Sequence, residues 1–281
     1  MRVEIEPGVR LFFDTVGGGL VPTDAAMLPK PTLLLLHGGP GFDHTSYRPW
    51  FDRFGDTHQV VYLDHRAQGR SDGAGDRTRW NLDTWADDVA RFCAALGIER
   101  PVVLGNSFGG FVAMHAAARH PDLADRLVLM STAARPHYDV TAARFEQLGG
   151  TEARDAYRRV YVERDGAPEA WMDYAAKCLP LYNRTPSPFA PDRGSMNFAV
   201  VADSVHWFAD YDLRDELARI TAPTLVLAGE DDPMTPVEAA EEIVASLPPG
   251  VARLERFAAC GHGTYRDQPG RTESVLRAFL A

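Results

Sequence analysis

Four segments of this 281-residue chain carry residue types that could do chemistry together. Gly105-Asn106-Ser107-Phe108-Gly109 fits the pattern G-x-S-x-G. A serine at a sharp strand-to-helix turn is held in a strained backbone conformation that exposes its hydroxyl, and small residues two before and two after let the chain segments approach. A hydroxyl is a weak nucleophile: it needs a base to take its proton, and the base needs a carboxylate to orient it. The candidate base is His262, in Cys260-Gly261-His262-Gly263, and the carboxylate candidates are Glu230, Asp231 and Asp232, directly after Gly229. Negative charge develops on the attacked oxygen during acyl transfer, so two backbone amides must face it. Phe108 opens the helix after the serine, and the loop His37-Gly38-Gly39-Pro40-Gly41 supplies a second amide, with Gly39 the expected donor.

These groups must reach one edge of one sheet, and the alternation of short β-rich runs with longer helical patterns predicts that arrangement. Residues 2–5 and 9–15 read as an opening hairpin, followed by a Gly/Pro-rich loop over 17–31. Residues 32–36, 59–64 and 101–105 are apolar runs suited to strands buried on both faces. Leu82, Trp85, Val89, Phe92, Cys93 and Leu96 recur at helical spacing behind Asn81 and Asp83, a crossover helix between two strands. Residues 108–119 read as a buried helix, on which His115 faces the core, and 126–131 as the next strand.

From about residue 133 to 212 the rhythm breaks into helical fragments rich in aromatic rings and arginine, interrupted by Gly149, Gly150, Pro180, Pro186, Pro188 and Pro191. It resumes with a helix over 213–220, strands over 224–228 and 251–257, and helices over 236–246 and 272–280. The acids and His262 thus fall in loops at the carboxyl ends of strands, where open α/β sheets build their sites. His120 abuts a helix end, and His44, His58, His65, His137 and His206 lack the placement of His262. The expected fold is a mostly parallel twisted sheet with helices on both faces, a core of 1–133 and 213–281, and an inserted helical cap over 134–212.

Composition excludes several classes. At 45% hydrophobic and 24% charged residues the chain is an ordinary globular sequence. A net charge of −10 repels polyanions, so no nucleic-acid partner is expected. Its apolar runs fall far below the roughly 18 residues of a membrane helix, so no membrane partner is expected either. Glu4 and Glu6 stand where an export signal needs a basic, then apolar, start, which makes a cytoplasmic location the expectation. Three cysteines without CxxC spacing read as reduced thiols. With no HExxH motif or clustered His/Cys spacing, neither metal nor cofactor is expected.

The sequence resembles α/β hydrolases of the proline iminopeptidase type. HGGPG at 37–41, DHRAQGRSD at 64–72, GNSFGG at 105–110, GEDDPMTP at 229–236 and GHGTYRDQP at 261–269 carry the resemblance, which spans about residues 31–131 and 213–281. HGGPG is characteristic of the proline iminopeptidase group, and the other motifs are shared across α/β hydrolases. The chain order Ser, Asp, His is the one such hydrolases use. The resemblance implies Ser107 as nucleophile, His262 as base, Asp232 as the orienting acid with Asp231 in reserve, Gly39 and Phe108 as oxyanion donors, and 64–71 as a structural turn.

It also implies a small-molecule or short-peptide substrate, with unblocked prolyl peptides ranked first. One departure bears on that ranking. The aminopeptidases read the substrate amine with acidic cap residues, one in an Arg-Ile-Glu-Asn type of segment; here Ser195-Met196-Asn197-Phe198 lacks the glutamate, leaving Glu169 and Asp203 as substitutes. Asparagine before the serine is also frequent in carbon–carbon bond hydrolases of this fold. Those hydrolases, a lactonase, and a receptor-type protein that keeps the triad to hold a ligand are the alternatives to an amidase or esterase.

Overall fold

The computed structural model describes residues 1–185, 194–208 and 211–281. Pro186, Pro188 and Pro191, singled out above, lie outside the described residues. The opening hairpin is formed by β1 (Arg2–Glu6) and β2 (Val9–Val16). The segment expected to be a plain loop holds a further short hairpin, β3 (Leu20–Pro22) and β4 (Met27–Pro29), all of it exposed. Exposed strands carry no buried apolar run, which is why the Gly/Pro signal masked them.

The central strands are β5 (Thr32–Leu36), β6 (Gln59–Leu63), β7 (Val102–Asn106), β8 (Arg126–Met130), β9 (Thr224–Gly229) and β10 (Ala252–Phe257). The main sheet runs β1-β2-β6-β5-β7-β8-β9-β10, antiparallel from β1 to β6 and parallel from there on. Side chains alternate across a strand, and the alternation divides the apolar interior in two. Leu34, Leu36, Val61, Leu63, Val103, Leu127 and Leu129 face one core, closed by helices α1 (Leu82–Leu96) and α2 (Phe108–Arg119). Leu33, Leu35, Val60, Tyr62, Leu104 and Val128 face the other. Each such fully buried leucine contributes roughly 1.5–3 kcal/mol.

Asn81 caps α1 by accepting from Thr84 N at 2.9 Å, and Gly97 ends it in the left-handed region at φ 63°. The second core is covered by 3₁₀ turns at His44–Tyr47 and Trp50–Asp56, too short to leave a periodic signal in sequence, and by the C-terminal helix described below.

After β8 the described chain is helical until the sheet resumes: α3 (Tyr138–Tyr161), broken at Gly150 (φ 75°), then α4 (Pro168–Lys177) and α5 (Phe198–Trp207). The chain leaves and re-enters the sheet at one point, where Leu213 N donates to Ala134 O at 2.9 Å. The helix expected over 213–220 is a single turn, α6 (Arg214–Leu217). Then follow α7 (Val237–Ser246), α8 (Thr264–Asp267) and α9 (Pro269–Leu280). The last begins three residues earlier than expected because Pro269 serves at its first turn, where a missing N–H costs nothing. Among the described residues no helix is long and apolar enough to cross a membrane.

Candidate active site

Ser107 sits between β7 and α2 with φ 53° and ψ −121°, a conformation disfavoured for any side chain. Backbone packing holds it there. A Cβ on Gly105 would lie 2.2 Å from Gly109 O, one on Gly109 1.9 Å from Leu36 O, and one on Gly110 2.4 Å from Thr132 Oγ1. Only glycine fits these three positions, so the turn is tight because its neighbours have no side chains. Ser107 N is tied to Met130 O at 3.0 Å, and its hydroxyl has no hydrogen-bond partner among the described residues.

The His37–Gly41 loop leaves β5 alongside. A Cβ on Gly38 would lie 3.4 Å from Ser107 Cβ, so the loop backbone rests against the serine. His37 is fully buried: its Nδ1–H donates to Gly38 O at 2.7 Å, and Nε2 accepts from His65 N at 3.2 Å. Burial, outweighing nearby carboxylates, holds the His37 imidazole below its ordinary value, and burial holds that of His65 well below. Both rings are neutral struts of the loop. Among the described residues neither Gly39 N nor Phe108 N donates to another group of the chain. Phe108 is the first residue of α2, whose leading N–H groups have no intrahelical acceptor and whose dipole favours negative charge.

Asp232 and His262 meet on the loops after β9 and β10. His262 Nδ1 lies 2.8 Å from Asp232 Oδ2 and 3.0 Å from Oδ1, and the carboxylate is fully buried. Burial of a carboxylate requires partners, and Asp232 has them: Met234 N and Thr235 N donate to Oδ1 at 2.9 Å each, and Thr235 Oγ1 to Oδ2 at 2.8 Å. An Nδ1–H pointed at Asp232 leaves Nε2 as the lone-pair nitrogen. Asp231 points away and pairs with Arg184. The two loops interlock, since a Cβ on Gly229 would fall 2.2 Å from Gly261 O. Burial pushes the neighbouring Cys260 thiol up to about 12, which leaves it protonated and inert.

Ser107 and His262 line one cavity of about 530 Å³ with Gly38, Gly39, Asn106 and Phe111 below and a roof of Tyr161, Trp171, Tyr174, Tyr182, Phe198 and Phe208. Of the aromatic rings between residues 133 and 212, Trp207 instead packs on Trp85 and Phe108, and Tyr211 on Phe111 and Phe208; Phe189 lies outside the described residues. Roof and floor are tied. Asn197 N donates to Gly41 O at 2.7 Å, Ser195 N to Asp43 Oδ2 at 2.8 Å, and His262 N to Tyr182 O at 2.6 Å.

The expected substitutes for the missing cap glutamate are not in the cavity: Glu169 is exposed on α4, and Asp203 on α5 does not line it. Among the described lining residues the one carboxylate is Asp43, and Thr45, Arg70 and Ser195 already occupy its oxygens. Asp64, at the head of the 64–71 turn, is buried and accepts from His44 N, His44 Nδ1 and Arg70 N. Burial raises its pKa, but the His44 hydrogen bond and the charges of His37 and His44 bring it below the usual carboxylate value. It orders the turn. Sequence reasoning missed Thr235, Asn183 and Arg266, which reach the site by packing.

Residues 31–269 match the family model described as the alpha/beta hydrolase fold. The chain belongs to the α/β hydrolase family. A proline iminopeptidase from Levilactobacillus brevis is 27% identical over 90% of this chain and 89% of its own. The AB hydrolase superfamily protein YisY from Bacillus subtilis is also 27% identical, over 99% and 97%. In fold the chain is similar to the crystal structure of the proline iminopeptidase of Mycobacterium smegmatis, with a TM-score of 0.76, 23% identity, and coverage of 100% and 97%. The resemblance read from HGGPG is thus met by relatives of that name.

Proposed function

We propose that this hydrolase is a serine hydrolase that cleaves small, largely apolar amide, peptide or ester substrates through an acyl-enzyme. The observation that carries the reading is the Asp232–His262 pair sharing a cavity with Ser107 and with the unpartnered Gly39 amide. Ser107 Oγ attacks the substrate carbonyl while His262 Nε2 takes its proton, and the imidazolium that forms is held by Asp232. The carbonyl oxygen becomes an oxyanion facing the Gly39 and Phe108 amides. His262 then gives its proton to the leaving group, the acyl–Ser107 ester remains, and a water activated by His262 hydrolyses it. The Ser107 hydroxyl need not be bonded to His262 in the free enzyme, because such contacts tighten when substrate arrives.

In this reading residues 134–212 are a cap that limits substrate size, and its rings shelter the oxyanion from water. Unblocked prolyl peptides are disfavoured by the absence of a free carboxylate among the described lining residues. The test is labelling by a fluorophosphonate probe together with turnover of short-chain nitrophenyl esters, lactones, and free and N-blocked aminoacyl naphthylamides. Wild type should label and turn over at least one class, and Ser107→Ala should do neither. Equal turnover by Ser107→Ala would exclude the mechanism.

A further inference from the structure

The chain has ten more acidic than basic groups, and its arginines are generally paired: Arg66 with Asp88, Arg135 with Glu242, and Arg184 with Asp231. Arg266 is an exception, and it stands in the active-site cavity. It lies four residues beyond His262, on the single turn α8, and is half-buried in the cavity lining. Its guanidinium has no ion pair and no hydrogen bond among the described residues; it lies over the Tyr265 ring, 5.2 Å from the ring centre. The adjacent carboxylates are committed elsewhere. Asp267 accepts from the backbone N–H groups of Gly261, Arg184 and Thr185, and Asp231 is held by Arg184.

Beside it stands a second unanchored polar group. Asn183 Oδ1 is buried without a partner among the described residues, and the point where a Gly263 Cβ would sit is 2.9 Å from Asn183 Oδ1 and 3.2 Å from Arg266 Cδ. Rotation of that amide offers an N–H beside the guanidinium. An unpaired cation and a free amide on the wall of a largely apolar cavity match a planar anion, which a guanidinium binds through two parallel N–H groups.

We infer that Arg266 is a specificity residue: the cavity takes substrates that join an apolar body to a carboxylate, and Arg266, with Asn183, receives that carboxylate on the His262 side. The inference deepens the hydrolase reading and rests on it for turnover, though not for binding.

Two measurements separate the two claims. The first compares kcat/KM for the mono-4-nitrophenyl ester of glutaric acid with that for 4-nitrophenyl pentanoate, which differs at the far end of the acyl chain. Wild type should favour the carboxylate ester at least tenfold; Arg266→Gln should bring the ratio to about one, mainly through KM; Arg266→Lys should restore part of it. The second titrates Ser107→Ala with 4-phenylbutyrate and with its neutral amide by calorimetry. The carboxylate should bind at least tenfold more tightly, and the added substitution Arg266→Gln should erase the difference. A wild-type ratio of one or less, a ratio unmoved by Arg266→Gln, or equal or absent binding of the two ligands overturns the inference. Selective binding without hydrolysis of either ester would condemn the serine-hydrolase reading alone.

Discussion

The floor and the roof of the cavity are built by different physics. The floor is backbone packed on backbone: Gly105, Gly109 and Gly229 bring chain segments so close that a single methyl group would collide with a carbonyl. Its buried carboxylates, Asp43, Asp64 and Asp232, are each held by several donors. The roof is side chain packed on side chain, from Tyr161, Trp171, Tyr174 and Phe208, and among the described residues it leaves Trp171 Nε1 and Asn183 Oδ1 without partners. Such a division keeps Ser107, Asp232 and His262 in one geometry while the shape above them can change residue by residue.

The largest expected effects lie in the floor. His262→Ala should lower kcat by about 10³ to 10⁶, and Asp232→Asn by somewhat less because the imidazole survives in a poorly held tautomer. Asp231→Asn should stay near wild type. Steady-state kcat for the three variants against wild type provides the check. A crippled Asp231→Asn beside a healthy Asp232→Asn would reassign the acid.

Next in size is the cost of a methyl group. Gly109→Ala should destabilise the fold by about 3 kcal/mol or more, since the obstacle is the Leu36 carbonyl and not a movable side chain. Gly270→Ala, with nothing within 4 Å of the new Cβ, should be neutral or stabilising by up to about 1 kcal/mol. Urea denaturation midpoints distinguish the two, and equal midpoints would show that the floor relaxes.

A smaller effect comes from the neutral histidines. In the unfolded chain a histidine takes a proton near 6.5, whereas burial keeps His65 unprotonated well below that. Stability is therefore full above about 6.5 and declines as pH falls below it, because the unfolded chain binds a proton that the folded one refuses. His65→Phe should flatten the loss between pH 7 and pH 5 in denaturation series. An unchanged or steeper slope would locate the acid sensitivity elsewhere.

The smallest effect belongs to the roof. Met172 is 71% exposed yet lines the cavity, so Met172→Ala should change stability by less than about 0.5 kcal/mol. It should still raise KM for a hydrophobic ester about two- to fivefold, because the lost contact is with substrate. A large stability loss would erase the contrast between the two regions.

The same contrast governs what can be read without coordinates. Strands β5 to β9 and the glycine-framed Ser107 turn are legible because burial on both faces and close backbone approach demand particular residue types in unbroken order. His262 and the His37–Gly41 loop are legible for a related reason, since each follows a strand directly. Choosing Asp232 over Asp231 is beyond spacing, because both stand in one turn and only the direction of each side chain separates them. Thr235, Asn183 and Arg266 carry no local signal at all: their relevance arises from elements distant in sequence. The exposed β3–β4 hairpin was hidden for the opposite reason, having no burial to pattern it.

The point where the chain leaves and rejoins the sheet has a consequence for chain entropy. Ala134 and Leu213 are joined by one backbone hydrogen bond, so everything between them is a loop whose ends already touch. The entropic cost of closing such a loop grows only with the logarithm of its length, about 0.6 kcal/mol for each doubling. The sheet therefore feels the presence of the intervening helices far more than their number of residues. Lengthening, shortening or exchanging them weighs on the stability of the sheet chiefly through the surfaces they cover, which gives the roof a freedom to diverge that the floor lacks.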